Sequence, residues 1–298
     1  MRFAIVVVLL VFLGGCTSGS GGDPVPTRRG ASTTSSTERV YVSLGDSYAA
    51  GYRPAGGGAP AGATRDGFAY LVAARAGLRL VNVACSGATS GQLTTATGCP
   101  AANRAPDAPD PAGATQLAAA LTVLRESKGR VGLVTLIIGG NDLTPCVVAP
   151  DPVNCATGAV AGIRANLAAV LPALREAAGD APIVGVTYPD VFLGAWVSPD
   201  FPDGQRLARQ SVPLFRDVFN TALKTEYAKI DATFVDVTEA TGGYGPLTDL
   251  TQDPTYGSIP TPVAKVCELT YFCTHTDVHP TPAGHQTIAS AILAATGR

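Results

Sequence analysis

The sequence predicts an α/β domain: three layers, α/β/α, around a flavodoxin-like, doubly wound sheet of about five parallel strands. Three observations carry this. Short apolar runs bounded by glycine, above all Leu133-Val134-Thr135-Leu136-Ile137-Ile138, suit strands buried on both faces. Other stretches space their apolar residues for one helix face, as Leu117, Leu121 and Leu124 do. Strand and helix alternate along the chain, which implies βαβ units with helices on both sides of a parallel sheet.

The elements follow in order. Residues 39–44 read as the first strand and run directly into Gly45-Asp46-Ser47. A helix is expected over 68–76, a strand over 80–83, and a Gly/Pro/Ala/Thr-rich loop over 88–113. Helix 115–124 and strand 133–138 come next, then helix 160–177, strand 182–187, helix 205–230 and strand 233–237. The last helix starts at Thr281-Pro282, with Thr at the N-cap and Pro at the first position, and carries an apolar stripe of Ile288, Ile292 and Leu293. In an open sheet of this kind, ligands bind outside the carboxyl ends of the strands.

The amino-terminal segment points to export. Met1-Arg2 precedes an apolar run from Phe3 to Leu13, too short to cross a bilayer, followed by Gly14-Gly15-Cys16. Residues 1–15 read as a signal peptide. Leu13-Gly14-Gly15-Cys16 resembles the bacterial lipobox, whose cysteine becomes a lipidated N-terminus; an ordinary cleaved leader with a chance cysteine is the alternative. Residues 16–37, rich in Ser, Thr, Gly and Pro, read as a disordered tether reaching roughly 25 Å. The globular domain is therefore placed at 38–298, at the bacterial cell envelope on the outer face of the cytoplasmic membrane, or secreted, with lipid chains on Cys16 as its membrane contact.

The composition is consistent with one domain: 298 residues, 46% hydrophobic, 15% charged, formal charge −2. No Lys/Arg run offers a footprint for nucleic acid. Apart from Cys16, six cysteines remain: Cys85, Cys99, Cys146, Cys155, Cys267 and Cys273. An even number in an exported chain reads as a disulfide framework. Pairing in sequence order is expected, because each pair then closes a short loop. A zinc site is the competing reading, but there is no Cys-x-x-Cys pair and the three histidines lie elsewhere, so no metal is expected.

Chemistry gathers in four short segments. Ser47 follows the first strand, and a serine hydroxyl needs a base within hydrogen-bond reach. The only histidines are His275, His279 and His285. Gly45-Asp46-Ser47-Tyr48 resembles the first block of the GDSL, or SGNH, hydrolases. Cys85-Ser86-Gly87 is similar to the second block, Gly139-Gly140-Asn141-Asp142 to the third, and His279-Pro280-Thr281-Pro282-Ala283-Gly284-His285 to the last. Any one of these could be a plain turn; four in the family's order are specific.

The resemblance implies an acyl-enzyme ester hydrolase (an esterase or lipase) without cofactor. Ser47 would be its nucleophile and His279 its base. The N–H groups of Ser47 and Gly87 and the amide of Asn141 would form the oxyanion hole. His285 reads as a packing or capping residue and His275 as a loop residue. The family's acid stands three positions before the base, where this chain has Thr276; Asp277 stands only two before. Either Asp277 reaches the imidazole through a bend, or a main-chain carbonyl orients it. Phe192, Leu193, Trp196, Val197 and Phe201, in the irregular stretch 188–203, suit either an acyl pocket or lid, or ordinary packing. The expected substrate is a small-molecule or lipid ester, and the chain is expected to act as a monomer. Two other readings remain: a carbohydrate O-deacetylase of envelope glycans using the same residues, and a lipoprotein that binds glycan or lipid without turnover. An α/β-hydrolase is disfavoured, since no Gly-x-Ser-x-Gly elbow occurs.

Overall fold

The computed structural model describes residues 38–298. The expected signal peptide at 1–15, Cys16 and the tether at 16–37 lie outside the described residues.

Five parallel strands form the main sheet: β1 (Val40–Gly45), β2 (Arg79–Asn82), β3 (Val131–Ile137), β4 (Ile183–Val186) and β5 (Thr233–Val235). Their spatial order is β2-β1-β3-β4-β5, the flavodoxin-like winding expected. Every residue of β1, β3 and β4 is buried, which is why these strands read as continuous apolar runs rather than alternating ones. Helices Phe68–Ala76 and Pro282–Ala295 pack together on one side. Helices Gln116–Glu126, Pro152–Ala178 and Thr221–Ala228 form the other layer.

Several elements differ from expectation. The helix expected at 160–177 begins at Pro152, capped by Asp151, whose carboxylate accepts the Asn154 N–H at 3.1 Å. Its first turns lack a strong apolar period, so the Asp151 cap and Pro152 at the first position are the local signals for that start. Although this 27-residue helix is apolar enough to cross a membrane by length and composition, Val160, Ile163, Leu167, Val170, Leu171 and Leu174 bury one face in the core. The helix expected at 205–230 runs from Gly204 to Ala228 with a π-helical stretch at Leu214–Asn220. That stretch begins directly after Pro213, which has no N–H to donate.

The loop at 88–113 holds two single turns, Gln92–Thr95 and Ala101–Asn103. Two short hairpins, Tyr52–Arg53 with Gly62–Ala63 and Leu250–Asp253 with Gly257–Pro260, carry no readable strand pattern. Helices Thr261–Leu269 and Phe272–His275 were likewise not expected. The disulfides pair in sequence order: Cys85–Cys99, Cys146–Cys155 and Cys267–Cys273.

Candidate active site

The site is built at the carboxyl ends of β1 and β3, where the winding reverses direction. Gly45 ends β1 at φ +139°, and a Cβ there would lie 2.1 Å from the Ile137 carbonyl oxygen, so only glycine fits. The amide of Gln116 fixes this residue from the side: Oε1 accepts the Gly45 N–H at 2.6 Å and Nε2 donates to its carbonyl at 3.0 Å. Asp46 then caps the one-turn helix Ser47–Ala50, its Oδ1 accepting the Tyr48 N–H at 3.0 Å. The Tyr188 hydroxyl donates to Asp46 Oδ2 at 2.6 Å. Burial pushes the Asp46 carboxyl up to about 6, against the stabilising bonds from Tyr188 and Tyr48. Burial and the neighbouring Asp46 charge hold the Tyr48 and Tyr188 phenols well above their ordinary value, so both remain donors.

The structure brings Ser47, His279 and Asp277 together. His279 Nε2 lies 2.8 Å from Ser47 Oγ, and His279 Nδ1 lies 2.7 Å from Asp277 Oδ1. The same Oδ1 accepts the His279 main-chain N–H at 2.9 Å. This turn closed by the aspartate side chain is what lets an aspartate two positions before the histidine reach its ring. Thr276, at the family's usual acid position, is left-handed at φ 51° and donates instead to Asp200 Oδ2 at 2.5 Å. Burial works to raise the Asp277 pKa, but the hydrogen bonds from the His279 ring and main chain outweigh it and hold it low. Of the two ways of orienting the imidazole, the carboxylate is the one observed.

His285 is buried and Nδ1 accepts the Phe68 N–H at 3.3 Å, the packing role expected. His275 is exposed at the end of helix Phe272–His275, where Thr274 Oγ1 lies 2.7 Å from its Nδ1.

Gly87 and Asn141 reach the same place. Gly87 follows β2 with φ +85°; a Cβ would meet nothing within 4 Å, so backbone conformation rather than space in this structure calls for glycine. Among the described residues, the N–H groups of Ser47 and Gly87 have no acceptor. Asn141 Nδ2 donates to the Ala88 carbonyl at 2.9 Å, which leaves its second hydrogen free. Its neighbour Asp142 ties the two loops together, accepting the Ser90 N–H at 2.8 Å and the Ser90 hydroxyl at 2.6 Å. Among the described residues no cluster of three His, Cys, Asp or Glu could hold a metal.

A cavity of about 1010 Å³ opens beside Ser47 and His279. The stretch 188–203 is divided: Phe192 and Phe201 line this cavity, joined by Phe215, Phe219 and Phe272, whereas Leu193, Trp196 and Val197 pack into a separate cluster with Ala208, Ile259 and Val263. Ser86, Thr89 and Asn103 line the cavity too, so polar and apolar walls both border it.

Gln116, Tyr188 and Tyr52 are the residues sequence reasoning missed. Gln116 had a signal, a long polar side chain on the same buried helix face as Ala120 and Leu124. The two tyrosines had none.

An α/β sheet with a serine, a histidine and an aspartate in hydrogen-bond series at its switch point defines a protein with hydrolase-type geometry. The model of the GDSL-like lipase/acylhydrolase family matches residues 43–287, and the chain belongs to that family. Among solved structures it is similar to the extracellular lipase of Streptomyces rimosus, at 21% identity and a TM-score of 0.55 over 86% of this chain and 99% of that one. It is also similar to phospholipase A1 of Streptomyces albidoflavus NA297, at 20% identity and a TM-score of 0.49 over 86% and 99%. Comparison with curated proteins finds no match. The likeness to the Streptomyces rimosus enzyme shows a common fold.

Proposed function

We propose that this chain is a carboxylic ester hydrolase working through an acyl-enzyme on Ser47. The observation that carries the reading is the unbroken series Ser47 Oγ, His279 Nε2 at 2.8 Å, and His279 Nδ1 to Asp277 Oδ1 at 2.7 Å. Ser47 Oγ attacks the ester carbonyl carbon while His279 Nε2 takes its proton. The imidazolium is stabilised by the ionised Asp277 and then protonates the departing alcohol. Water, deprotonated by the same nitrogen, attacks the acyl carbon and releases the acid, restoring Ser47. The free N–H groups of Ser47 and Gly87 and the free amide hydrogen of Asn141 serve the oxyanion formed in both steps.

The aromatic wall of the cavity favours an apolar acyl group over acetyl, so an esterase or lipase is preferred to a carbohydrate O-deacetylase. A p-nitrophenyl ester series on purified protein tests both parts. Ser47→Ala is expected to reduce kcat by at least a thousandfold with the fold intact, and full retained activity would sink the assignment. Wild-type kcat/KM is expected to rise from acetate to longer acyl esters by up to about fourfold per methylene. Preference for acetate, or for acetylated sugar, would favour the deacetylase. A protein that neither turns over esters nor labels with a fluorophosphonate at Ser47 would be a binder.

Export is part of the same reading, supported by three disulfides in the folded domain. Cys16 then carries the lipid anchor, residues 16–37 the tether and residues 38–298 the hydrolase, acting as a monomer. Incorporation of labelled palmitate by a bacterial host, lost in Cys16→Ser, is the expected result; equal incorporation by both proteins refutes the anchor.

A further inference from the structure

We propose that Tyr48 and Tyr52 are positioning residues that clamp the imidazole of His279 over Ser47, Tyr48 by holding the base loop and Tyr52 by packing on the ring. The inference rests on the reading of Ser47 and His279 as nucleophile and base.

The argument starts from what holds the base loop. Asp277 is bonded to His279, the Tyr271 N–H donates to the His279 carbonyl at 2.9 Å, and Thr270 bridges Pro280. All of these lie within the chain's carboxy-terminal part, and the bond from Thr276 to Asp200 reaches only the stretch 188–203, not the Ser47 helix. None of them fixes where the imidazole stands relative to Ser47, 232 residues away in sequence. A Ser–His hydrogen bond alone is a weak constraint, because its net contribution is about 1 kcal/mol and the ring can turn.

Tyr48 supplies the missing cross-link. It is the residue after the nucleophile, and its hydroxyl donates to the carbonyl of Val278, the residue before the base. Tyr48 itself is anchored. It is 3% exposed, its N–H is held by Asp46, and its ring meets Tyr188 edge-on at 4.9 Å, while Tyr188 is bonded to the other oxygen of Asp46. Nucleophile helix and base loop are thereby tied to one buried carboxyl.

Tyr52 approaches from elsewhere. It stands in the hairpin strand Tyr52–Arg53, and its ring centroid lies 4.4 Å from that of His279, with Tyr48 the second ring at 5.9 Å. When His279 accepts the Ser47 proton it becomes a cation against these two electron-rich rings. The attraction exists only in the charged state, so it favours the transition state over the resting enzyme.

The test is steady-state hydrolysis of p-nitrophenyl butyrate by Tyr48→Phe, Tyr52→Leu and Tyr52→Phe, with Ser47→Ala as control. Tyr48→Phe keeps the ring and removes only the hydroxyl; it is expected to lower kcat about tenfold with KM within twofold. Tyr52→Leu is expected to lower kcat roughly three- to tenfold, and phenylalanine at 52 to recover most of that loss. Fluorophosphonate labelling of Ser47 should slow in parallel, because it needs the same base without an ester substrate. A wild-type kcat and labelling rate in Tyr48→Phe, or a loss confined to KM, overturns the hydroxyl's role. Equal rates in Tyr52→Leu and Tyr52→Phe overturn the ring's. If hydrolysis survives Ser47→Ala, it is the reading of the site that fails, whereas an inactive Ser47→Ala beside a fully active Tyr48→Phe removes the Tyr48 link alone.

Discussion

Thr276, at φ 51° and ψ 31°, turns the chain so that Asp277 and His279 share one tight bend. A single carboxylate oxygen then holds both the ring and the main-chain N–H of His279. Asn at 277 can keep the turn through its own oxygen, but the neutral amide no longer stabilises the imidazolium or enforces the right tautomer. Asp277→Asn is therefore expected to lose on the order of 10³–10⁴ in kcat with an unchanged fold, measured on the same esters. A loss under tenfold would mean that the carboxylate does not orient the base.

At the scale of elements, the site depends on how strand ends are pinned to helices. Helix Gln116–Glu126 contributes one polar side chain to the buried layer, and Gln116 spends it on both main-chain groups of Gly45. Gln116→Ala removes the acceptor of the Gly45 N–H beneath the Ser47 turn. It is expected to cost about 1–3 kcal/mol, or a Tm fall of roughly 2–12 °C. The fall in kcat should exceed what the remaining folded fraction explains. A variant with wild-type Tm and kcat would show that Gly45 is held by its ladder alone. The disulfides serve the same loops, since Cys85 lies two residues before Gly87 and Cys273 six before His279.

For the whole molecule, buried ionisable groups set opposing slopes of stability against pH. Burial lowers His285 to about 4, so the unfolded chain binds its proton more readily. Its contribution is complete above the ordinary value near 6.5 and is lost as pH falls towards 4, up to about 3 kcal/mol. Asp46 and Asp190 act in the reverse sense: burial raises them to about 6 and about 7, so their contribution is present at low pH and lost as pH rises through those values. In His285→Gln, an amide oxygen can still accept the Phe68 N–H but does not titrate. The stability advantage of wild type over this variant should shrink by up to about 3 kcal/mol between pH 7 and pH 4, read by urea unfolding. An advantage independent of pH would mean that His285 titrates alike in both states.

Much of this was legible in the sequence. Strands β1 and β3 are buried on both faces, so hydrophobicity alone marks them; the four chemical blocks are local in the chain and keep their order. Pairing of the cysteines could be read because the loops they close are short. The hairpin at Tyr52–Arg53 and the helix at Thr261–Leu269 are too short or too irregular to impose a period, so they stayed unread. Tertiary structure alone decided three things about the site. It decided how Asp277, one residue out of register, reaches the imidazole of His279, because a turn angle is not written in spacing. It divided the aromatic stretch 188–203 between cavity and core, because burial depends on distant partners such as Phe272 and Val263. And it set Tyr48 and Tyr52 against His279, contacts spanning more than two hundred residues that local sequence has no means to encode.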